Sequence, residues 1–259
     1  MPRILRSIVP RIKESLRERG LLSTLYRGAL LPRYLLREYG RARDANAGSA
    51  GYSEFDQEHG VDTDGDCGDG WTYLSDLEIP SSNWIHGNDY APIEPARFHA
   101  ILTSLPIKYE DFVFVDFGSG KGRALLMAAE FPFKRIVGVE FSPELHAVAQ
   151  ANLAIALTNP GKDRPIKWKC TSVESLCMDF LDSELPPERS VLFFFDPCGE
   201  SVLSKMLARI EQSLQARPRD LYLIYVAPTD SKERMLDSTC PLTKLERNVE
   251  RNFCIYRAD

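Results

Sequence analysis

No stretch of the 259-residue chain approaches the ~20 uninterrupted apolar residues of a membrane-spanning helix. Its first residues lack the apolar h-region of a secretory signal peptide, and Glu14, Glu18 and Glu38 argue against a mitochondrial transit peptide. A soluble, cytoplasmic protein is the expectation. Cys67, Cys170, Cys177, Cys198, Cys240 and Cys254 include no Cys-x-x-Cys pair and no tight histidine spacing, so they are read as free thiols in a reducing compartment, and no metal site is expected. Basic residues are missing altogether from residues 45 to 90, which carry ten Asp/Glu and no Lys or Arg. Residues 1 to 43 have the opposite bias, eleven Lys/Arg against three Glu, and the remainder is nearly balanced within a net charge of −5. At 44% hydrophobic the chain can build one sizeable core.

Three segments follow from these charges. Residues 1–44 read as a basic amphipathic helical arm interrupted by Pro10, Gly20 and Pro32, with Ile4, Ile8, Ile12 and Leu16 along one side. Three readings of the arm stay open. It packs on its own protein with its arginines solvated or paired to the acidic segment; it docks on a protein partner or peripherally on the inner membrane surface through residues 1–43; or it binds nucleic acid. The last is disfavoured by the lack of interleaved aromatics and by the acidic remainder.

Residues 45–90 read as an acidic, glycine-rich linker or lid. Asp62, Asp64 and Asp66 alternate like the start of a calcium loop, but Cys67 replaces the sixth-position glycine and Tyr73 the twelfth-position glutamate. Trp71, Tyr73, Trp84 and Tyr90 are many aromatics for a free tail, so the segment is expected to pack over an active-site mouth.

From residue 91 to 259 apolar strands alternate with amphipathic helices. Strands are expected at 112–118, 135–142, 165–170, 190–197, 220–228 and 251–258, with helices over 122–132, 143–157 and 199–214. Such a pattern specifies a doubly wound α/β domain, a mostly parallel sheet with helices on both faces.

In that fold, ligands bind beyond the carboxyl ends of the strands, and the first strand-to-helix turn is the usual contact. Here it is "DFGSGKGR", residues 116–123. A P-loop would need glycine at 115 and Ser or Thr at 122, where Val and Gly stand; a dinucleotide fingerprint would space the glycines Gly-x-Gly-x-x-Gly, whereas Gly118, Gly120 and Gly122 alternate. What the turn offers is a carboxylate, Asp116, before glycines whose backbone can approach a ligand closely. Glu140 ends the next strand, the place for a carboxylate that accepts both hydroxyls of a ribose. An adenosine carrying a sulfonium and an amino-acid tail suits this better than a pyrophosphate does. Gly122 is read as a helix-packing glycine, Lys121 as a solvated turn residue, and His59 as a candidate base.

The run "VDFGSGKGRALLMAAEFPFKRIVGVEFSPELHAVAQANL" resembles motifs I and II of the class I, seven-strand methyltransferases that use S-adenosylmethionine (SAM). "FFFDPCG" resembles their motif IV and "RNFCIYRAD" the strand that ends the fold, so the resemblance covers roughly residues 86–259. It is similar to a group of uncharacterised bacterial methyltransferases, with a more distant likeness to the non-SET-domain lysine methyltransferases. The resemblance implies a seven-stranded sheet and SAM as cofactor. It implies that Asp116, Gly118, Ser119 and Gly120 hold the methionine part and Glu140 the ribose. The adenine position after the third strand falls on Ser172, or on Asp179 if the loop is longer. Tyr90 and Pro92 match a Tyr-x-Pro element that closes over the cofactor.

Asp196 and Pro197 end the fourth expected strand, where the family holds the methyl acceptor. By that resemblance Asp-Pro favours a nitrogen nucleophile on a protein side chain or small molecule. Cys198 and Gly199 replace the aromatic that would stack a flipped base, which disfavours nucleic acid. Asp196 could instead cap the following helix. The competing functions are a non-catalytic SAM-binding or interaction module, a nucleic-acid methyltransferase, and an NAD(P)-dependent oxidoreductase, which the glycine spacing opposes.

Overall fold

Runs rich in Val, Ile, Phe and Tyr become strands because branched and aromatic side chains fit a pleated surface that is covered on both faces. The computed structural model describes residues 52–65, 70–158, 168–170 and 172–258. Seven strands form one sheet there: β1 (Val113–Phe117), β2 (Arg135–Glu140), β3 (Val173–Cys177), β4 (Ser190–Phe195), β5 (Leu221–Val226), β6 (Thr243–Asn248) and β7 (Phe253–Ala258). Their order is β3-β2-β1-β4-β5-β7-β6. The first five are parallel, and β7 inserts antiparallel between β5 and β6. The expected seven-stranded doubly wound sheet is therefore present. Among the described residues no helix is long and apolar enough to cross a membrane. The arm expected at residues 1–44 lies outside the described residues, as do Asp66 and Cys67.

Strand periodicity sorts the core into two layers. Phe114, Ile136, Val191, Phe193, Tyr222 and Ile224 face one side, where they meet Phe98, Leu125, Leu126 and Leu153. Their immediate neighbours Val113, Val115, Val137, Leu192, Phe194, Leu223 and Tyr225 face the other side and meet Val202, Leu203, Met206, Leu207 and Ile210. The helices follow: α1 (Tyr52–His59), α2 (Pro95–Thr103), α3 (Arg123–Ala128), α4 (Pro143–Thr158), α5 (Glu200–Ala216) and α6 (Asp230–Asp237). α2 starts where Glu94 accepts from the amides of Ala96 and Arg97 at 3.0 and 2.8 Å, with Pro95 at a position that needs no donor. Each fully buried Phe or Leu contributes about 1.5–3 kcal/mol.

One expected strand is misplaced. Residues 168–170 are not a strand, 165–167 lie outside the described residues, and the third strand is Val173–Cys177. The amides of Lys169 and Cys170 donate to Ala129 O at 2.7 and 3.1 Å, which ties that stretch to the end of α3 rather than to the sheet. β3 is an edge strand, so it needs no continuous apolar run, and "VESLC" did not announce itself. β6, the other edge, and α6 were equally unmarked.

The chain runs from β1 through β2 to β3 on one side of the sheet and from β4 to β5 on the other. A crevice therefore opens beyond the carboxyl ends of β1 and β4.

Candidate active site

β1 delivers Asp116 to that crevice, and the chain then turns sharply. Gly118, Gly120 and Gly122 have φ of +85°, +53° and +87°, a region L side chains rarely enter. The amides of Gly118 and Ser119 donate to Val139 O at 2.8 and 3.2 Å, which stitches the turn to β2. Glu140 closes the turn from the end of β2, its Oε2 accepting from Gly120 N and its Oε1 from Ser142 N, both at 2.8 Å. At Gly122 an added Cβ would stand 3.3 Å from Ala149 Cβ in α4, so this glycine serves helix packing.

Asp116 and Glu140 are each only 3% exposed. Desolvation, reinforced by the Glu140 charge, pushes Asp116 from 3.8 up to about 8. Desolvation raises Glu140 to about 7, opposed by the amides it accepts from. Among the described residues no donor pairs with the Asp116 carboxylate, and the Ser119 hydroxyl is buried without a partner. Both residues line a cleft with about 620 Å³ of empty space, part of it open to solvent. Tyr90, Gly118 and Glu140 line it with them, and Asp196 and Pro197 form the facing wall.

That facing wall is the exit of β4. Asp196 has φ +40°, a strained conformation for a residue with a side chain, and contacts from three other parts of the chain hold it there. Asn88 Nδ2 donates to Asp196 O at 2.5 Å and to Oδ2 at 3.0 Å, Tyr225 Oη donates to Oδ1 at 3.0 Å, and Lys232 Nζ of α6 pairs with Oδ1. Asn88 N also donates to Pro197 O at 3.0 Å, and Gly199 N to His86 O at 2.6 Å. Residues 86–88 thus run along the β4 exit as a short antiparallel strap. Pro197 leans on the turn, since a Cβ at Gly118 would stand 2.7 Å from Pro197 Cβ.

The acidic segment lies on the same turn. Lys121 is 2% exposed and donates to Asp62 Oδ1 at 2.9 Å, which corrects its reading as a solvated residue. Arg123 is also 2% exposed; its Nε donates to Thr63 Oγ1 at 2.6 Å and its Nη2 to Asp64 Oδ1 at 2.6 Å and Asp56 Oδ1 at 3.2 Å. Asp62 and Asp64, alternating as in a calcium loop, are instead partners of these two cations. Burial of two basic side chains requires such carboxylates. Tyr90 Oη donates to Thr63 O at 2.6 Å, and a Cβ at Gly120 would run into the Tyr90 ring. Enclosure of the hydroxyl holds this phenol well above its usual range.

Ser172 is not brought to the site. It precedes β3, where its carbonyl accepts from Ile136 N at 2.8 Å, so it lies at the amino end of the sheet. Five strand residues at ~3.3 Å each separate it from the carboxyl end. The error follows from the misplaced third strand. Asp179 stands beyond β3 instead, accepting from Ser81 Oγ at 2.6 Å and Asn83 Nδ2 at 2.8 Å. His59 is buried against Phe55, with Nδ1 2.6 Å from Phe55 O, and does not line the cleft. Asn88, Arg123 and Lys232 were not anticipated at the site. Only the direct succession of Arg123 after the glycines could have suggested one of them.

No protein-family model and no curated protein matches this sequence. Several solved structures resemble its fold. A predicted N6-adenine-specific DNA methylase from Listeria monocytogenes is 13% identical over 65% of this chain and 51% of its own, with a TM-score of 0.46. An RNA methyltransferase from Salinibacter ruber in complex with S-adenosylhomocysteine is 18% identical over 65% of this chain and 92% of its own, with a TM-score of 0.44. A precorrin-6y C5,15-methyltransferase from Geobacter metallireducens is 14% identical over 70% and 92%, also at 0.44. The chain spans about half the length of the Listeria protein.

Proposed function

We propose that the chain is a SAM-dependent methyltransferase whose acceptor is a nitrogen of a protein side chain or a small molecule. The observation that carries this reading is the buried carboxylate of Asp116, which faces the cleft with no hydrogen-bond donor on it among the described residues, beside the buried and unpartnered Ser119 hydroxyl. A buried anion is costly until a cation completes it, and the ammonium of a methionine moiety does so. Gly118 and Gly120 let the backbone approach such a ligand. The Glu140 carboxylate accepts from the Gly120 and Ser142 amides, and its two oxygens have further acceptor capacity for ribose hydroxyls. Of the two residues considered for the adenine, Asp179 stands beyond the carboxyl end of β3, its carboxylate accepting from Ser81, Asn83 and Leu181. A pyrophosphate at this turn would meet the Asp116 carboxyl group where it prefers bare amides, which disfavours NAD.

When bound, the cofactor supplies an electrophilic methyl on its sulfonium. The chain's own part is position and exclusion of water. Phe193, Phe195 and Pro197 give the cleft apolar walls, and the Asp196 carboxylate, held by Tyr225 and Lys232, accepts a hydrogen bond from the incoming nitrogen. One observation favours a second reading, a SAM-binding module without turnover: Asn88 donates to Asp196 O, Asp196 Oδ2 and Pro197 O, the acceptors an incoming amine would use.

Calorimetric titration of the full chain with S-adenosylhomocysteine (SAH) and with NAD tests the cofactor. SAH should bind and NAD should not; failure of SAH to bind overturns the proposal. Asp196→Ala, assayed with methyl-labelled SAM against protein and amine acceptors, separates the two readings. Lost transfer with SAH affinity kept supports the enzyme, whereas lost stability alone reduces Asp196 to a structural residue.

A further inference from the structure

Arg123 opens α3 immediately after the glycine turn, yet its guanidinium is turned away from solvent into the acidic segment. The contacts from there form a continuous chain. Arg123 Nε donates to Thr63 Oγ1, and Asp56 accepts from Thr63 N at 2.7 Å, from Thr63 Oγ1 at 2.5 Å and from Asp64 N at 2.9 Å. The Phe55 ring lies under the guanidinium, 4.9 Å from Cζ. The carbonyl of Thr63, fixed by these bonds, accepts from Tyr90 Oη. The Tyr90 ring in turn lies on Gly120 and lines the cleft. Asp62 adds a second tie, through Lys121 Nζ and through Asn152, whose Nδ2 donates to Asp62 O at 2.6 Å and to Lys121 O at 2.9 Å.

We infer that Arg123, Asp56, Thr63 and Asp64 are positioning residues of the cofactor site: they hold Thr63 O where it anchors Tyr90 against the glycine turn, and cofactor affinity depends on them through that ring. The inference rests on the proposed SAM site. A buried guanidinium with carboxylate partners favours one arrangement over neighbouring ones, since any displacement leaves charges desolvated and unpaired. The neighbouring Gly120 cannot carry a side chain while Tyr90 is there. The acidic bias of residues 45–90 thereby acquires a role: its aspartates neutralise the two cations that follow the glycines.

A double-mutant cycle read by SAH titration of the full chain tests this, with melting temperature recorded on the same samples. Arg123→Met and Tyr90→Ala should each weaken SAH binding about tenfold, and the double variant should bind no more weakly than Tyr90→Ala alone. Arg123→Lys, which keeps the charge but not the planar fork, should recover part of the loss. Should Arg123→Met not fold, Asp64→Asn in the wild-type and Tyr90→Ala backgrounds carries the same cycle, with an expected loss of about threefold. Losses that multiply in the double variant, or Arg123→Met and Asp64→Asn binding SAH as the wild type does, overturn the positioning role and leave the SAM site standing. A wild-type chain that binds no SAH removes both.

Discussion

Asp116→Asn should make the unliganded protein more stable at pH 8 while abolishing cofactor binding. In the wild type the carboxyl is moved by burial from its ordinary 3.8 to about 8, so between those values the folded state retains a proton that the unfolded chain releases. Its stabilising contribution is complete below about pH 4 and is lost as pH rises to about 8, at roughly 1.4 kcal/mol per pH unit. That sets a ceiling of about 6 kcal/mol; because Glu140 is buried beside it and shares the same desolvation, we expect about 2 kcal/mol to be recovered by the neutral amide. Urea unfolding of both proteins at pH 4, 6 and 8 reads the difference, which should be near zero at pH 4 and grow with pH. SAH titration at pH 8 supplies the second arm, with wild-type binding and no binding by Asp116→Asn. Equal stabilities at pH 8, or retained SAH affinity in Asp116→Asn, would refute the idea of a desolvated carboxylate kept for a cation.

Three further outcomes follow from the same contacts. Gly120→Ala sets a Cβ into the Tyr90 ring at a φ of +53°, and should cost about 2 kcal/mol of stability by urea titration and weaken SAH binding. Lys232→Met leaves the half-buried Asp196 carboxylate without its cation and should cost about 3 kcal/mol, whereas Lys232→Arg should cost less; equal losses would show that the charge is immaterial. For the wild type, SAH affinity should rise as pH increases from 6 to 8, because Glu140 and Asp116 ionise across that range, with about one proton released on binding near pH 7. Titrations in buffers of different ionisation enthalpy count that proton.

What could be read from the sequence was what adjacent residues encode. Near-continuous apolar runs located β1, β2, β4, β5 and β7, because strands covered on both faces must be apolar throughout. Asp116 before alternating glycines and Glu140 at the next strand end marked the turn, since glycine takes the positive φ found there at no steric cost. The edge strand β3 carried no such signal, and its placement at 165–170 instead of Val173–Cys177 moved the expected adenine contact to Ser172, at the wrong end of the sheet.

Pairings between distant residues were decided by the tertiary structure alone. Lys121 and Arg123 are surface residues by composition; they are buried because folding brings Asp62 and Asp64 to them from 59 positions away. Asp196 read in the sequence as a residue beside the methyl acceptor or as a helix cap; in the fold Asn88 of the strap and Lys232 of α6 converge on it, and α5 is capped at Gly199 instead. Periodicity and backbone sterics are local and survive in a linear reading. The protonation of Asp116, the partners of the two cations and the occupancy of Asp196 depend on which charges share one low-dielectric volume, and only the packed chain determines that.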